Sequence, residues 1–289
     1  MTPELNFNQS DAPSQGEFKM SQNDFERIAA ILHSDSGIHL TTGKVALVYS
    51  RLAKRLRVLG LESFTDYCNL VTGKDGTDER RAMLNALTTN VTSFFRESHH
   101  FEHLTRHLEN DIAPRARKGE RIRLWSAGCS SGEEPYSMAA ILLKVLPEAP
   151  RLDVKILATD IDRLVLERAR IGRYPHQSLD HMAEEHKARL FTRDGAGNVN
   201  CVDAVRNMIA FNELNLMAAS WPMKFRFDVI FCRNVAIYFE EAAQQRLWSR
   251  LATQLNPGGR LYVGHSERVL DERFVSDGLT VYKCKDDTP

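Results

Sequence analysis

Residues 124–134 read Leu-Trp-Ser-Ala-Gly-Cys-Ser-Ser-Gly-Glu-Glu, and residues 157–160, at the end of the next apolar run, read Leu-Ala-Thr-Asp. The first stretch predicts a strand that ends in a glycine turn and opens a helix, and the second predicts a strand with a carboxylate at its tip. Gly128 and Gly132 permit positive φ and close approach of a ligand to the backbone. We therefore expect a Rossmann-like sheet that binds a nucleoside-bearing cofactor, with Asp160 accepting hydrogen bonds from ribose hydroxyls.

The residues that follow the second glycine restrict the choice of cofactor. A phosphate-binding loop would carry Gly-Lys-Ser/Thr where this chain has Gly132-Glu133-Glu134, and two carboxylates beside the turn would repel a pyrophosphate. The same carboxylates tolerate an uncharged ribose next to a cationic sulfur. S-adenosylmethionine carries ammonium and sulfonium charges and no phosphate, so the turn favours a methyltransferase over a dehydrogenase on the same type of sheet.

Composition argues against a nucleic-acid-binding, zinc-binding or membrane-spanning protein. The chain has 289 residues and is 43% hydrophobic, which is enough for one large core or two unequal ones. Its 38 basic and 38 acidic residues cancel, so no overall field indicates nucleic acid or a membrane as partner. The five scattered cysteines lack zinc spacing. With neither a signal peptide nor a long apolar run, we expect a cytoplasmic protein with reduced thiols and no direct membrane insertion.

The chain divides into an N-terminal helical part and a C-terminal α/β part. From residue 122 onward, apolar runs alternate with helical patterns, which predicts a doubly wound, largely parallel sheet. The stretch 171–208 interrupts the alternation, and its turn signal at Gly195-Ala196-Gly197 predicts an inserted small antiparallel β-subdomain. The expected division is a disordered tail (1–20), a helical substrate-recognition domain (21–88), a linker contributing to the cofactor site (89–97) and the S-adenosylmethionine-binding domain (98–289).

Local patterns also predict individual elements. In the first part, helices are expected from Ser21, with Asp24 as its capping partner, and over residues 44–59, 64–71 and 78–87. In the second part, apolar runs predict strands over residues 122–125, 154–159, 209–214, 227–232, 260–264 and 280–284.

The second predicted helix has a basic face. Between Lys44 and Arg57 the chain has five bases and no acid. A solvated helix face would gain from interleaved acids, so their absence favours an acidic partner surface. Nucleic acid is disfavoured because the chain is neutral and only Tyr49 interleaves as an aromatic. The residues expected to bind this partner are Arg51, Lys54, Arg55 and Arg57.

Three further strings carry a family resemblance. Residues 87–97 read Leu-Thr-Thr-Asn-Val-Thr-Ser-Phe-Phe-Arg-Glu, residues 132–137 read Gly-Glu-Glu-Pro-Tyr-Ser, and residues 231–239 read Phe-Cys-Arg-Asn-Val-Ala-Ile-Tyr-Phe. With these strings, nearly everything after about Ser21 resembles the CheR family of chemotaxis receptor methyltransferases. The resemblance implies an enzyme that moves the methyl group of S-adenosylmethionine onto glutamate side chains of bacterial chemoreceptors for sensory adaptation, giving glutamate methyl esters and S-adenosylhomocysteine.

The resemblance also implies roles for individual residues. Asp160 would take the ribose, Glu134 the cationic amino-acid end of the cofactor, and Arg96 the methionine carboxylate. Arg96 and Tyr238 would position the acceptor carboxylate. Together with Gly128 of the turn, the residues expected to bind the cofactor are Asn90, Thr92, Arg96, Glu134, Asp160, Asn215, Leu216, Arg233 and Asn234.

The implied chemistry needs no general base and no metal. A glutamate acceptor has a pKa of about 4.3 and is already an anion at neutral pH, so catalysis reduces to positioning in a dry pocket. The adjacent His99 and His100 would diverge on a helix, and no carboxylate or cysteine at ligand spacing is expected to join them, so we interpret both as structural.

The expected partner is the helical methylation region of chemoreceptors, which is acidic and would suit the basic helix face. The enzyme would act in the cytoplasm, recruited to membrane-bound receptor arrays. In some members of the family the β-subdomain binds a C-terminal receptor peptide as an added strand. The hairpin around Gly195-Ala196-Gly197 is short beside those members, which argues against such a tether here.

Other functions fit the sequence less well. A non-catalytic sensing or signalling scaffold on the same fold would not need the complete set of implied cofactor residues. A nucleic-acid amino methyltransferase would carry Asn/Asp-Pro-Pro-aromatic where this chain has Cys232-Arg233-Asn234-Val235. A methyltransferase of a different acidic protein remains open as an alternative.

Overall fold

The computed structural model describes residues 17–285, and the chain divides into two compact units after Thr89. The disordered tail expected over residues 1–20 falls outside the described residues as far as residue 16. Residues 17–20 correct that expectation, because Phe18 is buried and Lys19 forms a bridge with Ser63. The Phe18 N–H also donates to the Tyr49 hydroxyl at 3.0 Å. These residues are therefore part of the helical unit.

The first unit contains the four predicted helices. They are α1 (Gln22–Ser36), α2 (Val45–Leu59), α3 (Phe64–Thr72) and α4 (Thr77–Leu87). The predicted capping box is present at the start of α1, where the Asp24 N–H donates to Ser21 Oγ and the Ser21 N–H donates to the Asp24 carboxylate. Fully buried apolar side chains from three of the helices form its core, namely Ile28, Leu32, Leu52, Leu56, Phe64 and Tyr67.

The second unit is an α/β domain built on a seven-stranded sheet. Its helices are α5 (Ser98–His107), α6 (Ala113–Arg117), α7 (Glu133–Val145), α8 (Arg163–Ile171), α9 (Glu184–Leu190), α10 (Asp203–Arg206) and α11 (Glu241–Gln254). Its strands are β1 (Ile122–Ala127), β2 (Val154–Asp160), β3 (Arg173–Pro175), β4 (Phe191–Arg193), β5 (Asn198–Cys201), β6 (Ile209–Glu213), β7 (Phe227–Cys232), β8 (Leu255–Val263), β9 (Phe274–Gly278) and β10 (Val281–Cys284).

The strand order places a binding crevice beside β1. The large sheet runs β6-β2-β1-β7-β8-β10-β9, with β6, β2, β1, β7 and β8 parallel and β10 antiparallel to both of its neighbours, β8 and β9. The chain moves outward from β1 in one direction through β2 and β6, and in the other through β7 and β8. Ligands in such sheets bind outside the carboxyl ends of the strands where the order reverses. The doubly wound fold is therefore confirmed, and it points to the loops after β1, β2 and β7.

The insertion is a separate small sheet. Strands β3, β5 and β4 pair antiparallel in that order, and α9 precedes β4. The predicted antiparallel β-subdomain is therefore confirmed. Its Tyr174 hydroxyl donates to the Ser131 carbonyl at 2.6 Å, which attaches this subdomain to the glycine turn.

Two of the last strands of the chain, β8 and β9, differ from the sequence-based expectation. Strand β8 begins at Leu255, where a turn was expected over residues 256–259, and Gly258 at φ 74° marks an irregularity within it. Strand β9 was not predicted, because only Phe274 of its five residues is buried and the run has no apolar alternation. Within residues 17–285, no helix combines the length and the apolar character needed to span a bilayer.

Candidate active site at the carboxyl ends of the parallel strands

The glycine turn after β1 wraps over the end of β2. The N–H groups of Gly128 and Cys129 both donate to the Thr159 carbonyl, at 2.8 and 2.9 Å. Gly128 has φ 84°, and a Cβ added there would lie 2.3 Å from a methyl carbon of Val235. The positive φ expected at this glycine is present. The close approach that requires glycine is made by the protein itself, through the loop that follows β7.

Asp160 anchors this turn. Its Oδ2 accepts from the Ser130 N–H at 2.8 Å, and its Oδ1 accepts from the Asp162 N–H at 3.0 Å. Burial raises the pKa of Asp160, while these backbone N–H groups act in the opposite direction. Each carboxylate oxygen can accept a second hydrogen bond. Asp160 therefore has a structural role that sequence reasoning missed, and it keeps the capacity to accept from a ribose.

Residues 90–97 form a packed segment of the second unit, although a linker was expected. Asn90 Nδ2 donates to Asp162 Oδ2 at 2.8 Å, and Ser130 Oγ donates to the Asn90 carbonyl at 3.1 Å. Phe94 is buried and meets Tyr174 of the β-subdomain edge-on, with ring centroids 5.0 Å apart. The segment is therefore not a free linker, because its aromatic side chain Phe94 packs within this unit and its amide side chain Asn90 forms a hydrogen bond within this unit.

The backbone around Arg96 is strained. Phe95 and Glu97 have φ of 54° and 58°, a region that non-glycine residues rarely adopt. Arg96 itself donates from Nη1 to the Val91 carbonyl at 2.9 Å. Ser130 and Asn234 at the same edge also have positive φ. Such strain persists only where surrounding contacts over-determine the backbone, and it concentrates at functional sites.

Arg233 is the centre of a buried ion cluster. Its Nη1 lies 3.0 Å from Glu134 Oε2, and its Nη2 lies 3.3 Å from Glu97 Oε2 and donates to the Arg96 carbonyl. The Arg233 side chain is 2% exposed, and its guanidinium carbon lies 5.7 Å from the ring centroids of both Phe101 and Phe231. Glu97 was missed by sequence reasoning, although it ends the string at 87–97.

Two carboxylates thus share one guanidinium. Burial raises the pKa of Glu134, against the opposing effects of Arg233 and a hydrogen bond from Ser126. Burial would also raise the pKa of Glu97, but the hydrogen bond with His265 and the charge of Arg233 bring it to about 2. Around the ends of β1, β2 and β7 the acidic groups outnumber the guanidinium groups. The acidic groups are Glu97, Glu133, Glu134, Asp160, Asp162 and Glu267, and the guanidinium groups are Arg96, Arg163 and Arg233.

Asn215 and Leu216 follow β6 at the same edge. The Leu214 N–H donates to the Asp160 carbonyl at 2.9 Å, which holds this loop next to the end of β2. Asn215 Oδ1 accepts from the Met217 N–H at 2.8 Å, and Leu216 is buried. The fold therefore brings the residues expected near the adenine beside the residue expected at the ribose.

The remaining predicted residues lie on the segments already described. Thr92 is half-buried within the segment 90–97. Asn234 follows Arg233, and its Nδ2 lies 3.5 Å from Glu97 Oε1. Tyr238 is half-buried and ends a short 3₁₀ turn, Ala236–Tyr238, after β7. Glu267, which sequence reasoning also missed, accepts hydrogen bonds from this loop; no local motif singles it out, because its partners are backbone N–H groups.

The two histidines have a neighbour that was not expected. Potential ligand atoms of Glu97, His99 and His100 lie within 4.8 Å of one another, so the expectation that no carboxylate joins the histidines is wrong. The bend of the chain at Glu97 brings its carboxylate back over the start of α5. Burial, followed by the charges of Arg233 and His99, lowers the pKa of His100 to about 3. The carboxylate of Glu97 in this cluster is ion-paired with the Arg233 guanidinium, at 3.3 Å.

The basic face of α2 is largely satisfied within the first unit. Arg55 pairs with the Glu79 carboxylate at 2.5 Å, and Arg57 pairs with Glu17 at 2.7 Å. Arg51 donates to the carbonyls at the end of α4, among them that of Thr88 at 2.6 Å. Lys54 is exposed. The acids missing from the helix itself are therefore supplied by other segments, which the local sequence pattern could not reveal.

Comparison with known proteins shows the family of this chain. The family model for the all-alpha domain of CheR methyltransferases matches residues 23–88, and the model for their S-adenosylmethionine-binding domain matches residues 90–282. A probable chemotaxis protein methyltransferase of Rhizobium etli is 48% identical, over 88% of this chain and 96% of the relative. The chemotaxis protein methyltransferase of Escherichia coli is 42% identical, over 93% of each chain. The chain belongs to the CheR methyltransferase family and contains its S-adenosylmethionine-binding domain.

Proposed function

We propose that this protein transfers the methyl group of S-adenosylmethionine to glutamate side chains of chemoreceptors, forming methyl esters. The observation that carries the proposal is the acid-rich edge at the switch point of the sheet, in a chain of the CheR methyltransferase family. There the buried Arg233 is shared by Glu97 and Glu134. An excess of carboxylates favours a cofactor with cationic sulfonium and ammonium groups over one with phosphates.

The residues around this edge fit such a cofactor. Asp160 keeps free acceptor capacity for ribose hydroxyls, and Asn215 and Leu216 lie beside it. Glu97 Oε2 is buried and lies near Arg233 without accepting a hydrogen bond, and the buried Arg233 Nε donates none, which suits a site completed by a polar ligand. The residues proposed to hold S-adenosylmethionine are Asn90, Thr92, Arg96, Gly128, Glu134, Asp160, Asn215, Leu216, Arg233 and Asn234.

The proposed chemistry is a direct displacement without a metal. S-adenosylmethionine supplies an electrophilic methyl group on a sulfonium. The chain positions the acceptor glutamate, whose carboxylate is already ionised, and excludes water from it. Arg96 and Tyr238 are proposed to orient that carboxylate. Because anion meets cation, a site of low dielectric favours the transition state over the separated ions.

The proposed partner is the acidic helical methylation region of chemoreceptors in membrane-bound arrays. Docking is assigned to the basic face of α2, formed by Arg51, Lys54, Arg55 and Arg57. Lys54 and Arg57 are exposed, and Arg57 is paired with Glu17. A C-terminal receptor peptide could add to the β-subdomain as a strand. The short hairpin at residues 195–197 argues against that second contact.

Two measurements test the proposal. The first is isothermal titration with S-adenosylmethionine and S-adenosylhomocysteine, comparing Asp160→Asn with the matched Asp153→Asn. These aspartates lie at opposite ends of β2, and Asp153 is engaged by Arg121 and Arg123. We expect binding to weaken at least about tenfold in Asp160→Asn and to stay within about twofold of wild type in Asp153→Asn. Absence of binding to the wild-type protein would contradict the assigned cofactor.

The second measurement identifies the product. A receptor cytoplasmic fragment is incubated with the enzyme and radiolabelled S-adenosylmethionine, then treated with mild alkali. A glutamate methyl ester hydrolyses and releases volatile labelled methanol, whereas a methyl group on nitrogen stays on the protein. Label that resists alkali would show that the acceptor is not a carboxylate.

A further inference from the structure

Glu267 lies in the turn after β8 and is buried, at 5% exposure. Its carboxylate accepts hydrogen bonds from five backbone N–H groups. They belong to Gly264 and Asn234 at Oε2, at 2.6 and 2.8 Å, and to Val235, Ala236 and Ile237 at Oε1, at 2.9, 2.7 and 3.3 Å. One side chain therefore joins the turn after β8 to the loop after β7.

Among residues 17–285, the N–H groups of Asn234, Val235, Ala236 and Ile237 have no acceptor other than Glu267. The 3₁₀ turn of this loop, Ala236–Tyr238, has no side-chain cap from the preceding Val235. Asn234 has φ 58°, so the chain enters this turn in a strained conformation. The first N–H groups of a helical turn have no partner within the turn, and buried unpaired donors are costly. Glu267 supplies those partners and holds the strained backbone in place.

This loop also meets the glycine turn and β8 at very close range. A methyl carbon of Val235 lies against Gly128, as described above. A Cβ added at Gly264 would lie 2.4 Å from Asn234 Nδ2. A shift of the loop would therefore move Asn234 and Tyr238 and press Val235 onto the turn that carries Gly128.

We propose that Glu267 is a positioning residue for methyl transfer. It sets the conformation of residues 234–238 and, through Val235, the position of the glycine turn. The inference rests on the proposed function, in which Asn234 and Gly128 contact the cofactor and Tyr238 orients the acceptor. A carboxylate suits this role because it only accepts hydrogen bonds, whereas an amide would bring its own N–H donors into a ring of donors.

The test compares Glu267→Gln with a matched variant at the other end of β7. Asp228 is also buried, at 2% exposure. Its carboxylate accepts from the Arg123 N–H, Arg115 Nη2 and Asn256 Nδ2 at 2.9, 2.9 and 3.0 Å. Asp228→Asn therefore makes the same chemical change in a similar cage of donors, at the opposite edge of the sheet.

The measurements are the Kd for S-adenosylhomocysteine and kcat and KM with a receptor fragment, at a temperature where circular dichroism shows the variants folded. We expect Glu267→Gln to raise Kd and lower kcat, each by at least about tenfold, while Asp228→Asn stays within about twofold of wild type. Glu267→Asp, which keeps the charge, should recover part of the loss. Equal changes in Glu267→Gln and Asp228→Asn, or wild-type values in Glu267→Gln, would overturn the inference.

A second variant keeps the test decisive if Glu267→Gln does not fold. Gly264→Ala leaves the carboxylate in place and displaces the Asn234 side chain, so it should raise Kd for S-adenosylhomocysteine in the same direction. Unchanged Kd and kcat in folded Gly264→Ala would count against positioning through this loop. Failure of the wild-type protein to bind S-adenosylhomocysteine would instead refute the proposed function, which separates the two failures.

Discussion

Arg233 shows how much of this site depends on a single buried side chain. It pairs with two carboxylates, lies beside the rings of Phe101 and Phe231 and donates to the Arg96 carbonyl. Sequence patterns placed it at the end of a strand, near the cofactor. Its partners Glu97 and Glu134 lie far away along the chain, so only folding shows that it compensates both.

Removing this guanidinium should be strongly destabilising. Arg233→Met would leave Glu97 and Glu134 without their counter-charge in a buried place, so we expect a loss of about 3–5 kcal/mol in the free energy of unfolding. Arg121→Met is the control, because Arg121 is 63% exposed and pairs with Asp153 at the surface. The free energy of unfolding of Arg121→Met should fall by less than about 1 kcal/mol. Urea unfolding measures both, and similar losses would show that Arg233 is not the compensating charge.

His100 should make stability depend on pH. Its pKa is lowered to about 3 in the folded protein, against about 6.5 in an unfolded chain. The unfolded state binds the proton more tightly, so this contribution is complete above about pH 6.5 and is lost as pH falls towards 3. The expected slope is about 1.4 kcal/mol per pH unit within that window.

Urea unfolding near pH 7 and near pH 5 checks this slope. His100→Gln should unfold with a smaller loss of stability on acidification than wild type. His181→Gln, a change at an exposed histidine, should behave as wild type. An equal pH dependence in His100→Gln and wild type would exclude His100 as the source.

At the scale of elements, α2 combines a structural and a proposed docking role. Arg51 completes the C-terminal end of α4, and Arg55 holds Glu79, which also accepts from the Tyr67 hydroxyl at 2.8 Å. Arg57 is exposed but paired with Glu17, so Lys54 is the exposed member of the basic face that has no ion pair among residues 17–285. A charge reversal at Arg55 would therefore test the fold of the helical unit as much as docking.

Lys54→Glu separates the two roles. We expect it to raise KM for a receptor fragment about three- to tenfold, by placing a like charge against an acidic partner, with unchanged thermal stability and Kd for S-adenosylhomocysteine. Arg55→Glu should instead lower the melting temperature, because it sets Glu against the buried Glu79. Steady-state kinetics and calorimetry measure these effects. Unchanged KM in Lys54→Glu at low salt would argue against docking through this face.

At the scale of the whole molecule, the proposed cofactor residues all belong to one unit. They lie between Asn90 and Asn234, and the division of the chain falls after Thr89. The β-subdomain belongs to the same unit and supports the site, since Tyr174 contacts both Phe94 and the Ser131 carbonyl. A Cβ at Gly132 would lie 2.8 Å from the Tyr174 hydroxyl oxygen.

This arrangement predicts that residues 90–289 bind the cofactor alone. The fragment should keep its Kd for S-adenosylhomocysteine within about threefold of the full chain, and it should lose methylation of a receptor fragment if α2 docks the receptor. Isothermal titration and the alkali-labile methanol assay provide the two readings. Loss of binding in a fragment that circular dichroism shows to be folded would place part of the cofactor site in the first 89 residues.

The sequence by itself determined the helices of the first unit, the parallel strands of the second, the glycine turn and the family. The helices, strands and turn depend on short-range periodicity, capping and turn chemistry, which neighbouring residues record. The family rests instead on the resemblance carried by the strings at residues 87–97, 132–137 and 231–239. Strand β9 was not predicted, because only Phe274 of its five residues is buried and the strand has no alternation of apolar and polar residues.

Only the tertiary structure decided which charges meet. Arg233 and Glu134 are 99 positions apart, and Arg55 and Glu79 are 24 apart. The five donors to Glu267 are backbone groups that no side-chain pattern reports. Ion pairs and buried hydrogen bonds of this kind exist only once the fold has brought distant segments together, because their energy depends on distance and burial, which local sequence does not encode.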